Sequence, residues 1–186
     1  YRLFGDDRYA EVVEETLAFV DRELGHPDGG FYATLDARSA PPENPEGDHE
    51  EGAFYVWTPE EVAEAVSEYA AEAPADAPDD VLADLVCARY GIDAAGNFED
   101  GQTVLTVSAS LADLADDFGR SEAEIADLLN AAEDRLRAAR EDRPRPARDE
   151  KVLAGWNGLM ARAYAEAGLA LDTEYAERAA DAVEYV

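Results

Sequence analysis

The sequence predicts a mainly α-helical fold of antiparallel helices with a small antiparallel β-ribbon. Three segments place an acidic residue three positions after a Ser or Thr, a pattern typical of helix starts, at Thr58, Ser110 and Ser121. Apolar residues recur at helical spacing after these starts. Alternation typical of strands is confined to short segments, chiefly 31–35 and 53–57. We therefore expect an α/α arrangement in which helices carry most of the core.

The N-terminal part of the chain predicts one helix followed by the ribbon. The helix begins after Asp6 or Asp7 and ends at Gly25. Its predicted inward stripe comprises Tyr9, Val13, Thr16, Val20 and Leu24. Segments 31–35 and 53–57 are then expected to pair with each other as an antiparallel ribbon.

The middle of the chain predicts four helices separated by turn-forming residues. The first follows Thr58, runs to about Ala71 and is followed by a spacer rich in Ala, Pro and Asp over 72–78. The next ends at Gly91, and a short third helix ends at Gly119. A long fourth helix ends before Pro144.

The stretch 147–160 contains charged, polar and aromatic side chains close together at the start of another predicted helix. It contains the only lysine, Lys151, the only methionine and one of the two tryptophans, Trp156. If the helix begins near Asp149, one inward stripe has Asn157 inside its edge and comprises Leu153, Trp156, Met160, Tyr164, Ala167 and Leu171. A second ridge of small residues would let another helix approach: Gly158, Ala161, Ala165 and Gly168. Asn157 is then either a buried amide bonded to a loop carbonyl or part of a polar pocket floored by Trp156.

Two kinds of side chain are candidates for a functional site. Asp149 and Lys151 are the candidate catalytic pair, in which a carboxylate acid or base is kept ionised by the amine. The alternative is an ion pair at the helix entrance, with Asp149 as the N-cap. The candidate ligand-binding residues are Tyr32, Asp36, Trp57, Trp156 and Asn157. Their aromatic rings are of the kind that stacks on sugars, although aromatic residues at strand spacing are more often core residues.

The composition bounds the class of protein. The 186 residues are 47% hydrophobic and are expected to form one domain or part of one. With 44 acidic against 15 basic residues, the net charge of −29 offers no basic patch to a phosphate backbone, so nucleic-acid binding is not expected. The acidic residues are spread over every helix, which indicates halophilic adaptation.

The charge gives a first testable prediction, the dependence of folding on salt. At about 1 M salt the Debye length falls to about 3 Å, and repulsion among the carboxylates is screened. We expect the helical circular-dichroism signal to be lost on dialysis below roughly molar salt. Cooperative thermal melting retained in dilute buffer would contradict the halophilic interpretation.

Cysteine, histidine and apolar runs point to few special sites. A single cysteine, Cys87, excludes an intramolecular disulfide and any Cys-x-x-Cys pair. His49 lies in an acidic loop without a second ligand at helical spacing, so no metal site and no cofactor are predicted. His26 precedes a proline turn at a helix end, where an imidazolium would favour the helix dipole. The absence of a membrane-length apolar run predicts no membrane association.

Several motifs resemble one known family when taken together and in order. They are Gly29-Gly30-Phe31-Tyr32, the run from Glu51 to Glu61, Tyr90-Gly91, Gly96-Asn97-Phe98-Glu99, Arg143-Pro144-Arg145, Lys151-Val152-Leu153 and Trp156-Asn157-Gly158-Leu159-Met160. This set resembles the spermatogenesis-associated, thioredoxin-domain-containing protein family. The resemblance implies an N-terminal thioredoxin-like domain, followed by an (α/α) toroid similar to N-acylglucosamine 2-epimerases and to six-hairpin glycosidases. Residues 1–186 would be a single fragment of that (α/α)6 toroid, truncated at both ends and lacking the thioredoxin-like part.

The resemblance implies two functions, and both stay open. One is cytoplasmic processing of a carbohydrate or small metabolite, with a sugar as ligand. The other is a non-catalytic scaffold for the thioredoxin-like domain of the same full-length chain. Three positions depart from the family pattern, since Arg38, Thr103 and Ala147 stand where the family has Asp, Asn and His. These departures place a fixed acid–base role in doubt, and only His26 and His49 remain as imidazoles.

Overall fold

The computed structural model describes residues 1–70 and 77–186. These form two compact units, one made of Tyr1–Asp36 with Ala147–Val186 and the other of Ala37–Pro146. The described residues contain seven α-helices and two antiparallel sheets of two strands each. The predicted mainly helical class is therefore confirmed, while the toroid stays a prediction.

The helices and strands have the following bounds. The helices are α1 (Arg8–Leu24), α2 (Pro59–Glu68), α3 (Asp79–Tyr90), α4 (Leu111–Phe118), α5 (Glu122–Glu141), α6 (Ala154–Ala170) and α7 (Thr173–Tyr185). The strands are β1 (Thr34–Leu35), β2 (Arg38–Ser39), β3 (Glu50–Glu51) and β4 (Arg148–Asp149). The predicted helix end near Ala71 and most of the predicted spacer at 72–78 lie outside the described residues.

The three helix starts predicted from capping boxes are confirmed. The hydroxyls of Thr58, Ser110 and Ser121 each accept a hydrogen bond from the backbone N–H three residues on, and the acidic side chain there accepts from the backbone N–H of the capping residue. The Ser110 hydroxyl lowers the pKa of Asp113, and that of Ser121 lowers the pKa of Glu124. These carboxylates satisfy N–H groups that a helix start otherwise leaves unpaired.

The predicted pairing of the ribbon is wrong. Thr34 and Leu35 pair with Asp149 and Arg148 rather than with 53–57. The second sheet pairs β2 with β3, and 53–55 form a turn. Strands this short carry little register information of their own, so the pairing depends on the tertiary contacts around them.

The unit formed by Ala37–Pro146 packs α2, α3 and α4 against α5. Its apolar core includes Trp57, Val62, Leu82, Leu114 and Ile125, with Cys87 packed against it. Burial raises the pKa of the Cys87 thiol, as expected for a small hydrophobic residue at a core boundary. The left-handed Gly91 and Gly119 end α3 and α4, as predicted.

The other unit is centred on α6 and α7, which lie close together. A Cβ built on Gly168 would come within 2.7 Å of Ala176, so this glycine permits the approach of the two helices. The predicted small-residue ridge is otherwise only partly in contact, because Gly158 faces open space. The stripe predicted for α1 is also partly wrong, since Tyr9 and Val13 are exposed whereas Leu17 and Val20 are buried.

Candidate functional site

The candidate catalytic pair lies between the last strand and α6, with Asp149 at the end of β4 and Lys151 two residues further on. The Asp149 carboxylate accepts hydrogen bonds from the Lys151 ammonium at 2.9 Å and from the Lys151 backbone N–H at 3.2 Å. These bonds lower the pKa of Asp149, so its carboxylate is ionised at neutral pH. The Lys151 side chain is 73% exposed. The pair is thus a surface ion pair, and its catalytic role stays a prediction.

The helix start expected near Asp149 is wrong. Asp149 lies on β4, and α6 begins at Ala154 with Leu153 as an N-cap that provides no capping side chain. The pairing of β4 with β1 holds Asp149 in an extended conformation, so it does not cap the helix. Trp156 consequently lies in the first turn of α6 and is 56% exposed. Its predicted place on the buried stripe is not observed.

Asn157 has a buried side-chain amide that forms hydrogen bonds with the backbone of Phe31, which is remote in sequence. It is 2% exposed, and its Oδ1 accepts from the Phe31 N–H at 2.8 Å. Its Nδ2 donates to the Phe31 carbonyl at 3.0 Å and to the Leu153 carbonyl at 3.2 Å. These contacts agree with the first of the two predicted alternatives for Asn157, a buried amide whose hydrogen bonds are satisfied by the backbone. Ligand binding by the same amide stays a prediction.

A second side chain, Arg178, holds the same loop from α7. Its guanidinium donates to the carbonyls of Gly29 and Gly30 and to the Asp21 carboxylate, and it lies 4.1 Å from the centre of the Phe31 ring. The Gly29–Gly30–Phe31 segment is therefore held by an amide on one side and a guanidinium on the other. Sequence reasoning missed Arg178, because an arginine within a regular helix gives no signal of the loop carbonyls it reaches.

The aromatic candidate Tyr32 belongs to a stack of rings beside this loop. The Arg148 guanidinium lies 4.2 Å from its ring centre, and the His26 ring lies 4.9 Å away on a tilted plane. His26 accepts from the Asp28 N–H at Nδ1, and its Nε2 is 3.1 Å from the Tyr185 hydroxyl. Tyr32 is half-buried, whereas Asp36 is exposed just after β1.

Trp57, the remaining candidate, belongs to the unit formed by Ala37–Pro146. It is buried in the core of that unit, and the Arg143 guanidinium lies 3.9 Å from its ring centre. An open cleft of about 200 Å³ beside them is lined by Glu61, Glu64 and Tyr69, among others. Hydrogen bonding to Asp142 raises the pKa of the Tyr69 phenol to about 12, so the phenol stays neutral at physiological pH.

The described parts of the chain limit the chemistry further. Within residues 1–70 and 77–186, His, Cys, Asp and Glu side chains nowhere form a group of three suited to a metal ion. Among the helices of the same residues, none is long and apolar enough to cross a bilayer. Of the predicted site residues, Asp149 and Lys151 are in contact with each other, and Trp156 is exposed in the first turn of α6.

These features define a mainly helical segment in which Asn157 and Arg178 hold the backbone of the Gly29–Gly30–Phe31 loop. Its relationships agree with the motifs that suggested a family. The chain is 39% identical over 180 residues to human spermatogenesis-associated protein 20, covering 92% of this chain and 22% of that protein. It is 36% identical over 183 residues to the mouse protein of the same name, covering 94% of this chain and 22% of the relative. An uncharacterised protein of Caenorhabditis elegans is 27% identical over 190 residues, covering 97% and 25%.

The chain is therefore homologous to a segment of spermatogenesis-associated protein 20. It spans about a fifth of the length of the curated mammalian relatives that it matches. No family model matches the sequence.

Proposed function

We propose that the chain is a non-catalytic helical scaffold segment of a longer protein, and that its exposed apolar helix faces pack against other parts of that protein. The observation that carries this proposal is the outward face of α6. Leu159 and Leu169 are 68% and 77% exposed there, on either side of the exposed Arg162–Glu166 ion pair, and Trp156 is 56% exposed in the first turn. The thioredoxin-like domain implied by the family resemblance is one partner that such a scaffold would position.

The apolar face is unusual for this chain. Charged residues make up 32% of the sequence, yet the seventeen residues of α6 include only Arg162 and Glu166 as charged side chains. A solvated helix in so acidic a protein would be expected to carry more carboxylates than the single Glu166. Large exposed apolar side chains such as Leu159 and Leu169 mark surfaces that other protein segments can cover.

Processing of a carbohydrate or small metabolite is the second candidate, and one observation favours it. An exposed indole, that of Trp156, follows Lys151 of the Asp149–Lys151 ion pair by five residues in the sequence. Aromatic rings beside paired charges can bind a sugar through stacking and hydrogen bonds. Asp149 would be the acid or base, and Lys151 would orient the ligand.

Ligand screening separates the two candidates. The full-length protein would be heated in molar salt with a panel of free and N-acylated sugars, and with Trp156→Ala and Lys151→Ala variants. If the chain is a scaffold, we expect that none of the sugars raises the midpoint temperature of thermal unfolding through Trp156 or Lys151. Any increase seen with the unchanged protein should then persist in both variants. A sugar whose stabilisation disappears in both variants would favour the carbohydrate candidate instead.

A charge placed on α6 tests the scaffold directly. We expect Leu159→Glu to lower the free energy of unfolding of the full-length protein by about 2–4 kcal/mol, because a covered leucine contributes about 1.5–3 kcal/mol and a buried carboxylate is costly. Urea unfolding in molar salt measures the change. Ala180→Glu adds the same charge at an exposed position of α7 and serves as the control. Equal effects of the two variants would contradict the proposal.

A further inference from the structure

A second apolar surface of the same unit lies between the first half of α1 and the second half of α6. It is an open groove of about 660 Å³. The residues that form most of its apolar wall are Leu3, Phe4, Tyr9, Val12, Val13 and Ala163. On α1 the wall follows helical spacing, so one face of that helix forms it.

The groove exists because α1 meets α6 only toward its C-terminal end. There the Tyr164 hydroxyl donates to the Leu17 carbonyl at 3.0 Å, and Leu17 and Val20 are buried. One to two turns earlier, Val12 and Val13 stand over open space, and Val13 is 39% exposed. The apolar face of α1 thus continues past the point where this unit covers it.

The polar content of the groove is low. Glu166 and Arg2 are the charged residues of its lining, and the Glu166 carboxylate already accepts from the Arg162 guanidinium at 2.9 Å. A small polar metabolite needs several convergent donors and acceptors to be oriented, and this lining offers few. A long apolar wall on two helices is instead the geometry into which an amphipathic helix packs.

We propose that this groove receives one amphipathic helix from the part of the full-length polypeptide that lies outside these 186 residues. This inference rests on the proposed scaffold function and names the site and the class of partner. Apolar residues spaced i, i+3 or i+4, and i+7 on the incoming helix would cover Tyr9, Val12 and Val13.

Length and charge decide between the possible occupants. The matched segment is 22% of the mammalian relatives, so a protein of that kind has most of its chain available to fill the groove. A tethered helix also benefits from an effective concentration in the millimolar range. A second copy would bring another charge of −29 to the same surface, a repulsion that acts at full range only below molar salt, whereas tethering favours the internal helix at every salt concentration.

Site-specific photocrosslinking of the full-length protein tests this inference. The photoreactive residue p-benzoylphenylalanine would replace Val13 in the groove wall, or Glu11 on the opposite side of α1 as the control. After irradiation in molar salt at two protein concentrations, peptide mass spectrometry identifies the crosslinked residues. We expect Val13 to crosslink within the same polypeptide to an apolar helical segment outside the 186 residues. The yield should not change with concentration, and Glu11 should not give this product.

Other results would overturn the assignment. A crosslink between two copies, with a yield that rises with concentration, would assign the groove to self-association. A crosslink to another protein or to lipid, or no crosslink from Val13, would also remove the proposed occupant. If Val13 fails while Leu159→Glu still destabilises the protein, only the groove assignment falls. If both fail, the scaffold proposal falls with it.

Discussion

Replacing Asn157 with Ala is expected to lower the free energy of unfolding of the unit that contains α6 by about 2–4 kcal/mol. The substitution leaves the buried N–H and C=O of Phe31 without the partners that Asn157 now provides, at 2.8 and 3.0 Å. Each unsatisfied buried group costs about 1–3 kcal/mol, and partial access of water recovers some of that cost. Urea unfolding followed by circular dichroism in molar salt measures the change.

The neighbouring tryptophan provides a matched control for this substitution. Trp156 precedes Asn157 in the same helical turn but is mostly exposed, so Trp156→Ala should cost no more than about 1 kcal/mol. A purely ligand-binding Asn157 would give the opposite pattern, with stability unchanged in the free protein. If Asn157→Ala costs no more than Trp156→Ala, the amide does not hold the Phe31 loop.

Capping hydrogen bonds between neighbouring residues made three helix starts of the unit formed by Ala37–Pro146 predictable. Thr58, Ser110 and Ser121 each carry their capping partner three residues away, so the hydrogen bonds that fix the start form within one turn. The start of α6 has no such signal, because Leu153 supplies no capping side chain. It is set by the pairing of β4 with β1, whose residues are remote in sequence, and it was therefore misplaced toward Asp149.

The buried face of α6 was predicted only in part, since Tyr164 and Ala167 of the predicted stripe are buried whereas Leu153 and Trp156 are exposed. Apolar residues occur all round this helix, so a helical periodicity does not distinguish the face toward α7 from the outer face. The structure buries Asn157, Ala161, Tyr164 and Ala167 together, which turns the stripe away from Trp156. The burial of Asn157 was among the predicted alternatives, whereas its partner Phe31 could be found only from the fold.

Arg143 joins three backbone carbonyl groups and one carboxylate in the unit formed by Ala37–Pro146. Its Nη1 donates to the Val56 carbonyl at 2.7 Å and more weakly to those of Ala53 and Phe54. Its Nη2 donates to the Glu61 carboxylate at 3.3 Å. Burial lowers the pKa of the guanidinium, but an arginine remains charged at physiological pH. The guanidinium of Arg143 thus provides hydrogen-bond donors for the backbone carbonyl groups of the turn that precedes Trp57.

Glu61 links this cation to the start of α2. One of its carboxylate oxygens accepts from the Thr58 backbone and hydroxyl in the capping box, and the other accepts from Arg143. Removing the guanidinium therefore leaves carbonyl groups of 53–56 unpaired and frees half of the carboxylate that caps the helix. The guanidinium also loses its contact with the Trp57 ring, which is worth about 0.5–2 kcal/mol.

We expect Arg143→Met to lower the free energy of unfolding of this unit by about 2–4 kcal/mol, because buried carbonyl groups left unpaired cost about 1–3 kcal/mol each and the partly exposed Glu61 carboxylate can be solvated. Arg137→Met is the control, because Arg137 forms an exposed ion pair with Asp134 whose loss should cost about 0–1 kcal/mol. Trp57 reports on the site itself when Trp156 is replaced by Phe, since the chain contains two tryptophans. Urea unfolding followed by that fluorescence should shift for Arg143→Met and stay nearly unchanged for Arg137→Met. Coincident curves for the two variants would mean that the carbonyls of 53–56 find other partners.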